Sequence, residues 1–546
     1  MDKANIFVNK FASNSNVDSV GMPPPLPADL SEPRMPPFFL SVGDVQRALA
    51  LLDPRKAYGP DGVPPIVLRE CSRELAPVLA RLFCLILQTS IFPSLWKVAV
   101  VQPVPKKGYP ADPANYRPIA LTSALSKLFE TLINRKLISH LEKHLLLSDH
   151  QYGFRSSRSC GDLLAYVTHV WASSLKRFGE SLAVALDISK AFDRVWHAKL
   201  IAKLPSNRLC NLFSSFLTGR IISVRVDGHA SNSLPINSGV PQGSVLSPTL
   251  FLLFINDLLS STSNPVHSYA DDSTLHISTS FSRPPREDAL IHARQSMVES
   301  VRDDLDSILQ WGAANLVNFN SSKTQCTPFS LKHSKFEPNL SFNNNLIVPK
   351  DTLSALGLNF SSDLSWKIHT TGLAKSASQK LGVLFRFRKF FTSKQLLTLY
   401  VGTIRPCMEY CGHVWGGSPG VRLLDKVQAK AIRLIDSPAL TAKIPSLSLR
   451  RNVGSLCLFY RYYFGRCSAE LRDCVPPPIR RPRSTRQSSD SHTYAVALDG
   501  CRIERYARTF FPSTSIMWNE LPQVVFPSIY HMSNFKKNVY NHLKSR

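Results

Sequence analysis

A chain of 546 residues with 44% apolar content is long enough for several lobes and readily buries a core. Lys and Arg number 65 against 39 acids, a formal charge of +26 with a pI near 9.7, so a polyanion is the natural partner. A membrane would attract the same charge, but the longest apolar stretch, Leu75 to Phe92, is broken by Pro77, Arg81 and Gln88, which argues against a spanning helix and for no membrane partner.

The amino terminus, M-D-K-A-N-I-F-V-N-K, has no long apolar core or cleavage site, so no secretory signal is expected. Eleven scattered cysteines point to reduced thiols in an intracellular compartment. Residues 1–41 are polar and then proline-rich, which reads as an extended, disordered tail with folded structure beginning near Val42. A helix follows around Gln46 to Leu52, then the turn-rich loop K-A-Y-G-P-D-G-V-P, in which Lys56, Gly59 and Gly62 suit phosphate contact or a plain connection equally. Leu75 to Ile91 reads as a buried helix and Trp96 to Val104 as a strand ending at the basic turn Pro105-Lys106-Lys107-Gly108.

Arg117 precedes Pro118, which disfavours helix for it, so it projects from a loop or strand. A long amphipathic helix spans roughly Ala124 to Leu146, with Leu128, Phe129, Leu132 and Ile133 on one side and Lys127, Arg135 and Lys136 on the other. Arg155 and Arg158 stand with serine hydroxyls in a loop suited to phosphate contact. Leu182 to Leu186 reads as a buried strand ending on Asp187, and Ile188 to Leu204 as a helix. In N-S-G-V-P-Q-G-S, Gly239 and Gly243 let backbone approach a ligand and Gln242 offers a donor and an acceptor. Ser247 and Pro248 open an apolar helix from Thr249 to Leu259.

Val266 to Ile277, V-H-S-Y-A-D-D-S-T-L-H-I, reads as a hairpin with Asp271 and Asp272 at its tip. Adjacent carboxylates repel, and a divalent cation relieves them. With Asp187 as a third acid the set suits two magnesium ions and in-line nucleotidyl transfer.

These motifs, in this order, resemble the reverse transcriptase of non-LTR (LINE-type) retrotransposons, in particular the jockey-like group. The resemblance rests on G-P-D-G at 59–62, Y-R-P-I at 116–119, Q-Y-G-F-R at 151–155, A-L-D-I-S-K-A-F-D at 185–193, G-V-P-Q-G-S-V-L-S-P at 239–248 and Y-A-D-D at 269–272. It implies an α+β right-hand polymerase: fingers at 42–180, a palm of antiparallel sheet packed on helices at 181–360, a helical thumb at 361–440 and a basic C-terminal helical extension at 441–546. The reverse transcriptase domain proper would cover about 90–360.

The resemblance makes Asp187, Asp271 and Asp272 the acids holding two Mg2+ ions, with Mn2+ as a substitute and the carbonyl of Ile188 as a further ligand. It makes Phe192 the gate against a ribose 2'-hydroxyl, Gln242 and Gly243 the lining of the nucleotide site and Arg117 a contact to phosphates or template. Lys323 falls where a lysine meets the departing pyrophosphate. Partners would be an RNA template, a DNA primer or target, and deoxynucleoside triphosphates, in the nucleus or the cytoplasm. No endonuclease is legible ahead of residue 42, so that activity is expected to come from elsewhere. Rival readings are a group II intron maturase-type enzyme and a non-catalytic RNA-binding derivative.

Downstream, Leu373 to Tyr400 carries Lys375, Lys380, Arg386, Arg388, Lys389 and Lys394 among apolar residues, and Leu424 to Ile435 is another basic amphipathic helix; both would follow duplex phosphates, with Lys127, Arg155 and Arg158 as further template contacts. Cys407, Cys411 and His413 have a weak zinc-like spacing, and small buried Cys is the commoner state. R-R-P-R-S-T-R at 480–486 reads as part of a flexible linker near 476–492, and Tyr506, Phe510, Phe511, Trp518 and Phe535 as a last helical unit.

Overall fold

A computed structural model describes residues 3–19, 22, 33, 35–106, 108–204, 207–479, 492–500 and 503–545. Most of the proline-rich stretch, Lys107 and the basic run at 480–486 lie outside the described residues. The chain divides into two compact units, one of Met1–Phe154, Asp187–Thr262 and Asp306–Asn320, the other of Arg155–Leu186, Ser263–Leu305 and Ser321–Arg546.

The first unit is built on a mixed sheet. Strand Val98–Pro105 pairs antiparallel with Tyr116–Leu121 and parallel with Arg220–Val226, and the latter takes the short strands His229–Ala230 and Leu234–Ile236 antiparallel. Alternation along Val98–Pro105 buries Ala99 and Val101. The extended tail expected for residues 1–41 is corrected here, because Lys3–Asn14 is a helix. Its apolar residues at 4, 8, 11 and 12 share one face. Val8, Phe11 and Ala12 pack on Val101, Ile222 and Val224, and Phe7 meets the Tyr116 ring edge-on at 4.8 Å. Burial against a sheet stabilises a segment whose flanking composition reads as linker.

A second correction concerns Ile188 to Leu204. Only His197–Ala202 is α-helical. Before it the chain is first pinned by a distant segment and then turns: the Ser189 N–H donates to the Asn318 carbonyl at 2.9 Å, the Asn320 N–H to the Asp187 carbonyl at 2.8 Å, Ile188 bridges Phe319, and residues 189–194 form turns. Helix Ala124–Lys143 follows the expected pattern with Leu128, Phe129, Leu132 and Ile133 buried, and Ser247–Ile255 is buried on all sides.

The second unit carries a four-stranded antiparallel sheet in the order Val266–Tyr269, Asp272–Ser278, Ser181–Leu186, Gln325–Phe329. Leu182, Ala183 and Val184 are fully buried, as an apolar run in a central strand should be. Helix Cys160–Lys176 covers the sheet through Trp171, whose ring stacks on Phe329 at 4.5 Å. Helix Glu287–Asn315 is clamped by Arg294, which reaches both carboxylate oxygens of buried Glu180 at 2.8 Å. Beyond two short hairpins the unit is helical, including Lys367–Arg386, Ser393–Leu399, Val421–Ile435, Leu447–Tyr463, Phe510–Asn519 and Met532–Ser545.

The last helices form a core of stacked aromatics, with Tyr460 on Phe535 at 4.0 Å and Trp518 on Phe459 at 5.0 Å. Tyr506, Phe510, Phe511, Trp518 and Phe535 are all buried. Arg461 and Tyr462 donate to the buried carboxylate of Asp162 on helix Cys160–Lys176, so the C-terminal helices and the sheet cover belong to one unit. Cys407, Cys411 and His413 do not converge among the described residues. Cys407 Sγ takes the Lys380 ammonium at 2.8 Å, and His413 Nε2 meets the Gly161 carbonyl at 3.0 Å. Among the described residues no helix is long and apolar enough to cross a membrane.

Candidate active site

Strand Val266–Tyr269 turns back into Asp272–Ser278 through Ala270 and Asp271, with Tyr269 opposite Asp272. Ala270 sits at φ +60°, the left-handed conformation that closes so tight a turn, and its methyl group is buried. Asp271 is half-buried and Asp272 exposed. Below the turn the Ser268 and Ser273 hydroxyls join across the strands at 2.6 Å.

The neighbouring strand sets what else reaches this end of the sheet. Leu186 pairs with Ser273, one residue from Asp272, and paired strands lie about 4.8 Å apart. The peptide bond after Leu186 leads into Asp187, half-buried, whose carbonyl takes the Asn320 N–H. Ile188 is buried in its bridge to Phe319. On the other side Ala185 pairs with Gln325, so strand Gln325–Phe329 begins at the same end, and the exposed Lys323 lies in the turn two residues earlier. The register thus brings Asp271, Asp272 and Lys323 to one edge of this sheet, the edge at which the strand ending on Leu186 stops.

The glycine-rich loop belongs to the first unit. Gly243, at φ +132°, lies so near the 116–121 strand that a Cβ would come within 2.4 Å of the Ala120 carbonyl oxygen, and the Ala120 N–H donates to the Gln242 carbonyl at 2.7 Å. Gly239, at φ +85°, leaves no room for a Cβ against the Asp193 carbonyl, at 2.6 Å. The Gln242 side-chain amide donates to Asp193 Oδ1 at 2.8 Å. Burial raises the Asp193 carboxyl above its usual range, opposed by that same hydrogen bond. Phe192 is half-buried, stacked on Phe251 at 4.5 Å with Phe154 edge-on at 6.2 Å.

Arg117 is exposed on its strand opposite Val104. Lys127 is half-buried in the first turn of helix Ala124–Lys143, and burial lowers its ammonium pKa. Arg155 is buried and Arg158 half-buried, so the loop expected to face phosphates presents less charge to solvent than its sequence suggests. Lys380 and Arg388 are exposed; Arg388 lies over the Phe385 ring at 3.9 Å.

Two groups went unread in the sequence. Glu130 is fully buried on the inner face of its helix, where an acid among Leu128, Phe129 and Ile133 was the available signal. Its carboxylate accepts the Val245 and Leu246 N–H groups at 2.7 and 3.2 Å, the Ser126 hydroxyl at 2.7 Å and the Ser244 hydroxyl, fixing the loop that leads into helix Ser247–Ile255. In the second unit His267 and His276, on the two hairpin strands, meet at 3.0 Å, and His267 continues to Glu470 at 2.9 Å, tying the hairpin to a C-terminal helix.

Residues 104–360 match the family described as reverse transcriptase (RNA-dependent DNA polymerase), a span that holds Asp187, Asp193, Asp271, Asp272 and the glycine-rich loop. Similar proteins include the RNA-directed DNA polymerase from mobile element jockey of Drosophila melanogaster, 28% identical over 413 residues, or 73% of this chain and 44% of that protein. The probable RNA-directed DNA polymerases from transposon X-element and transposon BS of the same fly are each 28% identical, over 70% and 75% of this chain and 42% and 46% of their own lengths. The chain therefore spans less than half the length of these relatives. Residues 104–360 match a reverse transcriptase domain, and over 70–75% of its length the chain is similar to the polymerases of the jockey, X-element and BS transposons.

Proposed function

We propose that the chain extends a DNA 3'-end on an RNA template, using deoxynucleoside triphosphates, and that a separate endonuclease provides the primer end at a nuclear DNA target. The observation that carries this is the register of Ser181–Leu186 against the hairpin, which ends that strand, one residue before Asp187 in the sequence, at the edge bearing Asp271 and Asp272. In this reading the antiparallel sheet is the palm, the first unit's mixed sheet belongs to the fingers and the helices from Lys367 to Ile435 are the thumb.

The donor set of three carboxylates fits a hard divalent cation. Asp187, Asp271 and Asp272 would hold magnesium, or manganese in its place, with the Ile188 carbonyl as a further oxygen. When bound, such ions supply positive charge at the reacting phosphate and favour the ionised primer hydroxyl. The chain's own side chains do the rest. Gln242, its amide held by Asp193, and the Cβ-free Gly243 line the nucleotide, and the Phe192 ring, held flat on Phe251, meets the sugar. Arg117 steadies phosphates, and the Lys323 ammonium neutralises charge on the departing pyrophosphate.

The test is primer extension on an RNA template with magnesium, beside filter binding at several salt concentrations. Asp271→Asn is expected to lower extension on the order of a thousandfold while template affinity stays within about twofold. Equal extension by variant and parent would end the proposal.

A further inference from the structure

Helix Lys367–Arg386 ends in V-L-F-R-F-R-K-F-F, residues 383–391, and the chain leaves it through a single 3-10 turn, Arg388–Phe390. Leu384 alone of these side chains is buried, at 8% exposure. Phe385 is 55% exposed, Phe387 51% and Phe390 78%. Phe391 is 37% exposed; burying a phenylalanine is worth about 1.5–3 kcal/mol, so four rings left in water at one helix end mark a surface with an occupant.

The charge around the rings says what kind. Arg386, Arg388 and Lys389 interleave with them, Lys380 and Lys394 flank them, and no carboxylate occurs between Asp363 and Glu409. The Arg388 guanidinium covers one face of Phe385 at 3.9 Å, so cation and ring act from the same spot. An uncharged protein surface would match the rings and leave the cations unanswered. A paired duplex would answer the cations but keep its bases inside, away from the rings. An unpaired strand satisfies both, with phosphates on the cations and base faces on the rings.

We propose that the Phe385–Phe391 segment is a stacking platform for unpaired nucleotides of a single-stranded nucleic acid. It rests on the polymerase reading for its biological setting, and the strand it would hold is template outside the copied duplex. The platform is distinct from the acid-bearing sheet edge.

The test uses the full chain, without nucleotides, and fluorescence anisotropy with three probes: a labelled single-stranded RNA of adenines and uridines, a fully paired RNA–DNA duplex, and phosphatidylserine vesicles. The combined variant Phe385→Ala, Phe387→Ala, Phe390→Ala removes only exposed rings. It is expected to weaken single-strand binding roughly thirtyfold, leaving duplex binding within about twofold and the salt dependence unchanged. Phe387→Trp with Phe390→Trp, which keep a stacking face, should retain single-strand affinity. Replacing Arg386, Arg388 and Lys389 with Gln should weaken both nucleic acids and flatten the salt dependence. The proposal is overturned if the alanine variant binds single strands as the parent does, if it loses duplex binding equally, or if only vesicle binding falls. Because no nucleotide is added, a chain inactive in extension still gives a readable result here, and a failed platform leaves the extension test standing.

Discussion

A buried carboxylate such as Glu130 is tolerable only while its oxygens are filled, and here two backbone N–H groups and two serine hydroxyls fill them. Removing it strands three donors, since the Leu246 N–H keeps a second acceptor in Ser244 Oγ at 3.2 Å. Glu130→Ala is expected to destabilise the protein by about 3 kcal/mol, measured by urea unfolding, and to slow primer extension through the loosened loop. Glu130→Gln keeps part of the acceptor capacity and should cost less, so equal losses from the two variants would contradict this account. Asp193 works on the same principle one step nearer the proposed nucleotide site, since its carboxylate decides which way the Gln242 amide faces.

Among the elements, helix Lys3–Asn14 has the clearest consequence. Besides covering the first unit's sheet, it delivers the Ser15 carbonyl to the N–H groups of Asn237 at 3.2 Å and Ser238 at 3.1 Å, while the Val17 N–H donates to Asn237 Oδ1 at 2.9 Å. The amino-terminal segment thus straps the strand that runs into the glycine-rich loop. Deleting residues 1–14 uncovers Val101 and Val224 and is expected to cost on the order of 5 kcal/mol for the lost burial of Val8, Phe11 and neighbours. Limited proteolysis should then cut between 228 and 243 well before the parent is cut there; an unchanged cleavage pattern would show that the strap carries nothing.

At the scale of the whole molecule, stability should depend on pH through buried imidazoles. His169 packs against Tyr506 and Phe511 at 6.0 and 4.9 Å, and burial first, then the Lys176 charge, lowers its pKa to about 4. Burial likewise takes His369 to about 4. An unfolded histidine titrates near 6.5, so the unfolded chain binds these protons first as pH falls. The contribution is complete above pH about 6.5 and is lost as pH falls toward 4. The expected loss from His169 is on the order of 2–3 kcal/mol. His169→Phe, which keeps the ring packing, should shrink the drop in unfolding midpoint between pH 7 and 4.5. A variant as acid-sensitive as the parent would refute the assignment.

How much of this was legible beforehand follows from the range of the forces involved. The strand before Asp187, the hairpin around Asp271 and Asp272, the long helix after Ala124 and the order of the motifs were readable, because strand period, helix period and turn chemistry act among near neighbours in the chain. Helix Lys3–Asn14 had its apolar spacing in plain sight, yet what makes it a helix is a sheet formed more than eighty residues later. The backbone from Ile188 to Trp196 was misread as helix for the same reason, since Ile188 and Ser189 find their partners at 318–319. By itself the sequence determined which side chains carry charge and chemistry, and in what order. Only the tertiary structure decided which strand edge gathers them, which acids are buried and which aromatic rings are left in water, because pairing register and burial depend on segments that meet only once the chain has folded.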